Sequence, residues 1–301
     1  MKFSVVICTY NREKYIYNAL RSIACQDFPV GDYEILLINN NSTDHTKELC
    51  QQFQSDYPAV DFRYFEEVNQ GLSYARNRGV KEGRGEVLIF VDDDATVFDG
   101  YLSAIASFFA EHPSVLACGG PIQPVYEVDK PKWLSCYTEQ LLGGALYEGN
   151  KLKLFRNGKY PGGGNSAFRK AIFEKYGLFN VELGRKGTGL IGAEEKDLYD
   201  RLTKGNEQFY YLPQMGIYHY IPEQKLSKAY FNELTYSIGK SERIRTKSVS
   251  GKAYGKRLFA ECIKWAASIL LCVGYTISLS PSKGTKLITF RWNVTKGLLG
   301  K

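Results

Sequence analysis

The chain has 301 residues, of which 44% are apolar and 24% charged, an ordinary composition for a folded protein that excludes a disordered chain. The formal charge of +7 is uneven, because residues 240–301 carry thirteen Lys and Arg against two Glu, a net charge of +11. A basic segment of this kind favours an acidic surface as partner. The seven cysteines are irregularly spaced without a C-x-x-C pair, which favours a reducing compartment over a disulfide framework or a zinc site.

Strand and helix patterns alternate over the first part of the chain. Three short apolar runs, residues 4–8, 34–38 and 86–90, are typical of buried strands. Residues 62–66 are predicted to form a further strand. Asn11 is predicted to cap a first helix, Ser42 or Asp44 a second, and residues 73–81 to form a third. The alternation predicts an α/β fold with a doubly wound, mostly parallel sheet and flanking helices.

The pattern weakens after residue 119. Residues 165–177 are predicted to form a helix that ends near Gly177, and residues 193–205 a second helix. Residues 209–213 predict a strand. We place boundaries after residues 118 and 235, so that residues 236–301 form a basic, partly apolar, helical C-terminal region.

The C-terminal region also bears on location. Its charge-free part, residues 265–282, is at the lower limit for a membrane span of about 18 residues. With its basic flanks it indicates an interfacial or re-entrant segment on an anionic membrane surface. Because the tail is apolar, a nucleic-acid partner is disfavoured. The first residues lack the layout of a secretory signal, so we expect a cytoplasmic protein, peripheral at the inner face of the cytoplasmic membrane.

Polar residues follow three of the predicted strands. They are Thr9-Tyr10-Asn11, Asn39-Asn40-Asn41 and Asp92-Asp93-Asp94. Ligands of open parallel sheets bind at the carboxyl ends of the strands, so these residues predict a site. Mg²⁺ and Mn²⁺ bind one or two carboxylates together with phosphate oxygens, which the three aspartates suit. The alternative interpretation of the aspartates is a solvated turn before the next helix.

Several linked motifs carry a family resemblance. In chain order they read SVVICTYNRE, EILLINNNSTD, NQGLSYARNRGVKEGRGEVLIFVDDDA, GGGNSAFRK and GAEEKDLYDRL. Together they resemble the motifs of family 2 glycosyltransferases with the GT-A fold, over residues 3–220. The resemblance implies that residues 1–118 bind a nucleotide and that residues 119–235 form the acceptor-binding half of the same domain.

The resemblance also implies a donor site. Its nucleotide-binding residues would be Thr9, Tyr10, Asn39, Arg76, Asp92 and Asp93. Asn39 departs from the aspartate usual in the family, which weakens the preference for uracil, although a UDP-sugar stays the favoured donor. Asp94 would bind the metal, Mg²⁺ or Mn²⁺. His219 matches a metal-binding histidine of some relatives, and its alternative role is that of a structural polar residue.

The acidic pair of GAEEKDL matches the family's general base. The resemblance assigns that role to Glu195 and leaves Glu194 as the alternative. A carboxylate can act as base once desolvation raises its pKa, whereas acids in a helix's first turn can also simply favour the helix dipole. Gly163 and Gly164 would let a sugar approach the backbone. Asn165 and Trp133 are further candidates for sugar contacts, and packing is the alternative role of Trp133.

The resemblance therefore predicts an inverting, metal-dependent glycosyltransferase. It would move a sugar from a nucleotide-diphosphate sugar to a hydroxyl of a glycan or lipid-linked glycan, in envelope polysaccharide assembly. One alternative is a sugar-nucleotide nucleotidyltransferase, which usually carries a glycine-rich loop after the first strand, where this chain has CTYNRE. The other is a non-catalytic module that binds nucleotide sugars or membranes.

Overall fold

The computed structural model describes residues 2–156 and 158–301. Its strands are β1 (Phe3–Thr9), β2 (Tyr33–Asn39), β3 (Phe62–Glu66), β4 (Val87–Asp92), β5 (Ala95–Val97), β6 (Ala117–Gly119), β7 (Ile122–Tyr126), β8 (Lys153–Leu154), β9 (Asn165–Arg169), β10 (Phe209–Tyr211) and β11 (Ile217–Ile221). Its α-helices are α1 (Ile16–Ala24), α2 (Thr46–Asp56), α3 (Leu72–Glu82), α4 (Tyr101–Glu111), α5 (Cys136–Gly143), α6 (Ala171–Tyr176), α7 (Glu194–Lys204), α8 (Lys228–Val249), α9 (Gly251–Ile277) and α10 (Pro281–Leu299).

The larger sheet has eight strands in the order β3-β2-β1-β4-β9-β6-β10-β8. Its first four strands are all parallel, and β9 is antiparallel to both of its neighbours. The predicted mixed α/β fold with a mostly parallel sheet is confirmed. A smaller sheet has the order β5-β11-β7, in which β11 pairs antiparallel with β5.

Both faces of the larger sheet are covered, because alternate residues of its central strands join different apolar clusters. One cluster holds Val5 of β1 and Ile89 of β4, together with residues of α1, α2 and α4. The other holds Val6 and Leu88, together with residues of α3, α6 and α7. Burial on both faces explains why these strands are nearly continuous apolar runs in the sequence.

Two local predictions are wrong. The predicted helix over residues 165–177 divides into strand β9 and the short helix α6, and only its end at Gly177 is as expected. Asn11 does not cap a helix, because α1 begins at Ile16 and Asn11 adopts a left-handed backbone with φ of 53°. Its Oδ1 accepts a hydrogen bond from the Thr43 amide at 2.8 Å, so it joins two loops at the carboxyl edge of the sheet.

The chain forms two compact units. The first comprises Met1–Pro124, Leu146–Val181 and Glu195–Tyr220. The second comprises Val125–Ala145, Glu182–Glu194 and Ile221–Lys301. The boundaries predicted after residues 118 and 235 remain sequence-based proposals.

The second unit contains the C-terminal helices α8, α9 and α10, which confirms the predicted helical C-terminal segment. Its apolar cluster includes Phe231 and Leu234 of α8 with Phe290 and Val294 of α10. Within the described residues, α9 alone is long and apolar enough to cross a membrane, judged by length and composition.

Candidate active site

The three polar strand ends meet at one edge of the larger sheet. In the registers of the central strands, Thr9 of β1 lies opposite Asn39 of β2, and Cys8 lies opposite Asp92 of β4. Parallel strands end on the same side, so three neighbouring ends bring their polar residues to a single surface. The convergence expected from the sequence is therefore present in the structure.

Asp92, Asp94 and His219 form a cluster with the chemistry of a metal site. Their potential ligand atoms all lie within 4.8 Å of one another. His219 Nε2 is 3.0 Å from Asp94 Oδ1, and only 8% of His219 and 3% of Asp94 are exposed. Two carboxylates and one imidazole are ligands that divalent cations accept, so the donor set fits the predicted metal.

The smaller sheet carries His219 to the aspartates. In the pairing of β11 with β5, His219 lies opposite Ala95, the residue after Asp94. The Tyr220 amide also donates a 2.9 Å hydrogen bond to the Asp94 carbonyl. Residues more than 120 positions apart in sequence are thus held together by backbone pairing, and the position of His219 does not depend on side-chain contacts alone.

Arg12 is a site residue that the sequence reasoning missed. Its Nε is 3.1 Å from Asp93 Oδ1, and its Nη2 is 3.6 Å from Asp94 Oδ2. Proximity to Asp93 above all raises the pKa of Arg12, so its guanidinium stays charged. Burial raises the pKa of Asp93 above its usual range, against the opposing effect of Arg12. The signal in the sequence was an arginine in the turn directly after a polar strand end.

The Asp93 carboxylate contacts neighbouring groups of the protein itself. Besides contacting Arg12, its carboxylate accepts a hydrogen bond from the Tyr10 amide at 3.4 Å, which links the ends of β4 and β1. The predicted nucleotide contact of Asp93 stays a prediction, and the contacts give it a part in holding Arg12.

The three asparagines after β2 organise the neighbouring loops. Asn39 donates to the Tyr64 hydroxyl at 2.7 Å and accepts from the Ser42 amide at 2.9 Å. Asn40 is buried, donates to two carbonyls of the loop after β3, and accepts from the Gly71 amide at 2.7 Å. Asn39 therefore uses both its donor and its acceptor within the chain, although a carbonyl oxygen can accept a second hydrogen bond from a ligand.

The glycines before β9 leave room for protein side chains. A Cβ on Gly164 would collide with the Asp92 carboxylate. The backbone amide of Asp92 also donates a hydrogen bond to the Gly164 carbonyl at 3.2 Å. A Cβ on Gly163 would lie 3.0 Å from both Arg76 Nη2 and Glu195 Cδ. The backbone of these glycines is thus close to acidic and basic side chains of the site. The predicted sugar contacts remain proposals.

Asn165 has a structural place that the sequence did not predict. Its side chain is fully buried, accepts from the Tyr101 hydroxyl at 2.8 Å, and donates to the carbonyls of Pro121 and Met215 at 3.1 and 2.7 Å. All its polar groups are engaged within the first unit. We therefore leave Asn165 out of the sugar contacts, because those hydrogen bonds would have to break first.

The acidic pair begins helix α7. Glu194 is 3% exposed, whereas the side chain of Glu195 is 28% exposed. Arg76, buried on α3 with its guanidinium over the Phe179 ring, lies 3.8 Å from Glu195 Oε2. Ala193, just before the pair, has a left-handed φ of 73°, a strained backbone that is uncommon for alanine. Of the two acids, Glu195 is therefore the more accessible from outside the protein.

Trp133 belongs to the second unit. Its ring packs edge-on against Phe231 with centroids 5.3 Å apart, and the Lys286 ammonium lies 4.7 Å from its centroid. These contacts give Trp133 a packing role, the alternative weighed for it in the sequence. Its stacking on a sugar stays a prediction.

Comparisons with known proteins identify the family of the chain. The model of "Glycosyl transferase family 2" matches residues 4–177. Glucosyl-dolichyl phosphate glucuronosyltransferase of Haloferax volcanii is 26% identical over 256 residues, 81% of this chain and 77% of that protein. The poly(ribitol-phosphate) β-N-acetylglucosaminyltransferase TarS of Staphylococcus aureus is 36% identical over 114 residues, 38% of this chain and 20% of the relative.

Solved structures support the fold. The mannosyltransferase PcManGT of Pyrobaculum calidifontis, in complex with GDP-Man and Mn²⁺, superposes with a TM-score of 0.67 over 100% of this chain and 88% of its own, at 17% identity. The predicted GT-A fold is confirmed, since the solved neighbours are transferases of that fold. Because the family model covers more than half of the chain, the protein belongs to glycosyl transferase family 2 and is a glycosyltransferase.

Proposed function

We propose that the protein is an inverting, metal-dependent glycosyltransferase that moves a sugar from a nucleotide-diphosphate sugar to a hydroxyl of a glycan or lipid-linked glycan. The observation that carries this proposal is the cluster of Asp92, Asp94 and His219 at the carboxyl edge of the sheet. Nucleotides bind at that edge in open α/β sheets, and a cation there meets their phosphates.

The donor's nucleotide would lie across the ends of β1 and β2. Thr9, Tyr10, Asn39 and Arg76 are the proposed contacts, with Asp92 at the ribose. A UDP-sugar stays our favoured donor, and TarS has been solved with UDP-GlcNAc. PcManGT has been solved with GDP-Man, so the nucleobase has to be determined by experiment. The Asn39 amide bears on that choice, because its carbonyl oxygen can accept a further hydrogen bond from a base.

Asp94, Asp92 and His219 would hold Mg²⁺ or Mn²⁺, and PcManGT has been solved with Mn²⁺. A divalent cation in such a site neutralises negative charge on a departing diphosphate. Arg12 adds a positive charge beside Asp93 and Asp94. Its contacts support a role in keeping Asp93 and Asp94 ionised and in place.

Glu195 is the proposed general base, with Glu194 as the alternative. Glu195 would accept the proton of the acceptor hydroxyl as its oxygen attacks the anomeric carbon. The new glycosidic bond forms on the face opposite the departing nucleotide diphosphate, which leaves with the electron pair of the broken bond. The partial exposure of Glu195 supports its selection, because a base must reach the proton that it removes. Gly163, Gly164 and Trp133 remain proposed sugar contacts.

The proposed acceptor is a glycan in envelope polysaccharide assembly, free or linked to a lipid. The name of the H. volcanii relative includes a dolichyl phosphate sugar, which is a lipid-linked substrate. We propose a cytoplasmic enzyme, peripheral at the inner face of the cytoplasmic membrane. The apolar helix α9 and its basic surroundings support this location.

A transfer assay tests the proposal. Radiolabelled UDP-, GDP-, dTDP- and CDP-sugars are offered with lipid-linked glycan acceptors in the presence of Mn²⁺. We expect one donor to be used, and Asp94→Ala and Glu195→Ala each to abolish transfer while the protein stays folded. Asp27→Ala, which changes an exposed acid of the same unit, is the control. Near-normal transfer by either site variant would contradict the assigned roles.

A further inference from the structure

Helix α9 buries polar side chains and exposes apolar ones, the reverse of an ordinary surface helix. Its two buried residues are the polar Glu261 and Ser268. Five of its large apolar side chains are between 54% and 78% exposed. They are Phe259, Ile263, Leu270, Val273 and Ile277. Surface helices of soluble proteins normally bury their apolar stripe, so this arrangement leaves an apolar face without cover among the described residues.

These five residues form one stripe along α9. They follow one another at intervals of four, seven, three and four residues, the spacing that keeps side chains on one side of a helix. From Phe259 to Ile277 the helix rises about 27 Å. Leu279, just beyond the helix, is 91% exposed. A patch of this length marks a surface for interaction.

The polar face of α9 is held inward by charge pairs. Glu261 Oε2 lies 2.8 Å from Arg257 Nη1 on the same helix, and Glu261 Oε1 lies 3.1 Å from Arg291 Nη1 on α10. Arg257 Nε is also 3.0 Å from Glu242 Oε2 on α8. The Trp265 indole donates to the Thr295 hydroxyl at 2.9 Å. Turning the helix over to bury its apolar stripe would break all of these contacts.

The surroundings of the stripe are basic. Residues 251–301 contain nine Lys and Arg and a single acid, Glu261, whose carboxylate lies in the buried network. Lys252, Lys256 and Lys264 are exposed residues of α9 itself. An apolar stripe beside lysines matches the anionic headgroups and the acyl boundary of a membrane.

We propose that α9 lies in the plane of an anionic membrane surface with its apolar stripe at the acyl boundary. This extends the proposed peripheral location, and it does not depend on the transfer reaction. A spanning orientation is disfavoured, because it would take Glu261 and Arg257 away from their partners and into hydrocarbon. Pairing with a second copy is disfavoured as well, because both copies would bring the same excess of lysine to the contact.

Vesicle flotation of the full chain tests the proposal. The vesicles contain phosphatidylcholine with or without phosphatidylglycerol, at low and high salt. We expect phosphatidylglycerol to increase binding roughly tenfold at low salt, and high salt to reverse most of that gain. The variant Phe259→Ser/Leu270→Ser/Ile277→Ser should lower binding roughly tenfold or more, because it removes apolar surface from the stripe.

The matched control is Val30→Ser/Tyr147→Ser/Leu178→Ser, which removes exposed apolar side chains of the first unit. It should bind vesicles as the parent does. Equal binding by parent and stripe variant, or equal binding to neutral and anionic vesicles, would overturn the proposal. If the stripe variant instead lowers the molecular mass of the lipid-free protein and the parent binds no vesicles, a second copy covers the stripe.

Depth measurement separates the two membrane orientations. The added tryptophan of Leu270→Trp, near the middle of the stripe, should be quenched more by lipids brominated close to the headgroup than by lipids brominated at the chain end. Stronger quenching at the chain end would indicate a span and would overturn the in-plane orientation. None of these measurements requires a sugar donor, so the proposal can fail while the transfer reaction is confirmed.

Discussion

Buried carboxylates lie at both the amino and the carboxyl ends of the strands of the larger sheet. Their surroundings shift the pKa of Glu34 and that of Asp93 in opposite directions. At the amino end of β2, Glu34 accepts hydrogen bonds from the Ser4 hydroxyl, the Arg84 amide and the guanidinium groups of Arg63 and Arg84, at 2.6 to 3.0 Å. Although burial opposes ionisation, these hydrogen bonds lower the pKa of Glu34. At this end of the strands, the hydrogen bonds therefore stabilise the ionised form of Glu34.

At the carboxyl edge, three consecutive aspartates lie beside Arg12 and His219. There, burial raises the pKa of Asp93, which means that the surroundings disfavour its charge. Burial of an acid alone therefore does not identify a site. The difference lies in which effect prevails: hydrogen bonds outweigh burial at Glu34, whereas burial outweighs the opposing charge of Arg12 at Asp93.

The largest expected effect is that of Asp94→Asn. We expect a loss of about three orders of magnitude in kcat/KM, because the charge that would bind the cation is gone. The free energy of unfolding of the metal-free protein should change by less than about 1 kcal/mol, since asparagine keeps the shape and a hydrogen-bond acceptor. Steady-state kinetics and urea unfolding measure the two effects. A variant that unfolds readily but retains its rate would reverse the roles assigned to the two edges.

Glu195→Gln should lower kcat about a hundredfold or more, because a glutamine cannot accept the acceptor's proton. Binding of the nucleotide diphosphate, measured by calorimetry, should be unchanged. Glu194→Gln is the matched variant, and we expect the smaller loss of kcat from it because Glu194 is the more buried acid. The reverse ranking would assign the base to Glu194.

Gly164→Ala tests the packing around Asp92. The new methyl group would collide with the Asp92 carboxylate, so we expect a cost of about 1–3 kcal/mol in unfolding free energy and weaker Mn²⁺ binding. Gly31→Ala is the control, because no atom lies within 4 Å of the position its Cβ would take. Unchanged Mn²⁺ affinity in Gly164→Ala would show that Asp92 does not contribute to the metal site.

Glu34→Gln should leave kcat unchanged and cost about 2 kcal/mol of unfolding free energy at neutral pH, as expected for loss of hydrogen bonds to a charged group. The folded-state pKa of Glu34 is lowered, so its contribution is present above the unfolded pKa and is lost as pH falls through the folded value. The difference from wild type should therefore shrink at acid pH. Glu66→Gln, which breaks the exposed ion pair with Lys47, should cost less than about 1 kcal/mol.

Much of the carboxyl edge was predictable from the sequence. Apolar runs located β1, β2 and β4, and because parallel strands end together, the polar residues after them had to converge. The contact between His219 and Asp94 was not predictable from residue patterns, because it depends on the pairing of β5 with β11. Arg12 was missed because its partner Asp93 is 81 residues away, and only the sheet register brings the two together.

Strand β9 has a sequence pattern that predicts a helix, for a physical reason. It lies between β4 and β6 and is buried on both faces, with Ala167 in one apolar cluster and Phe168 in the other. It therefore lacks the alternation of apolar and polar residues that marks a half-exposed strand. Asn165, at the start of β9, is buried and donates hydrogen bonds to two backbone carbonyls. Nothing in the local sequence pattern distinguishes such a residue from one that binds a ligand.

The central claim is that the carboxyl edge binds a cation together with a nucleotide diphosphate. Calorimetric titration of the protein with UDP, GDP, dTDP and CDP, each with and without Mn²⁺, tests it most directly. We predict tight binding of one of the four that requires Mn²⁺ and is lost in Asp94→Asn. If the folded protein binds none of the four, or binds one equally well without Mn²⁺ and in Asp94→Asn, the aspartates do not form the proposed site.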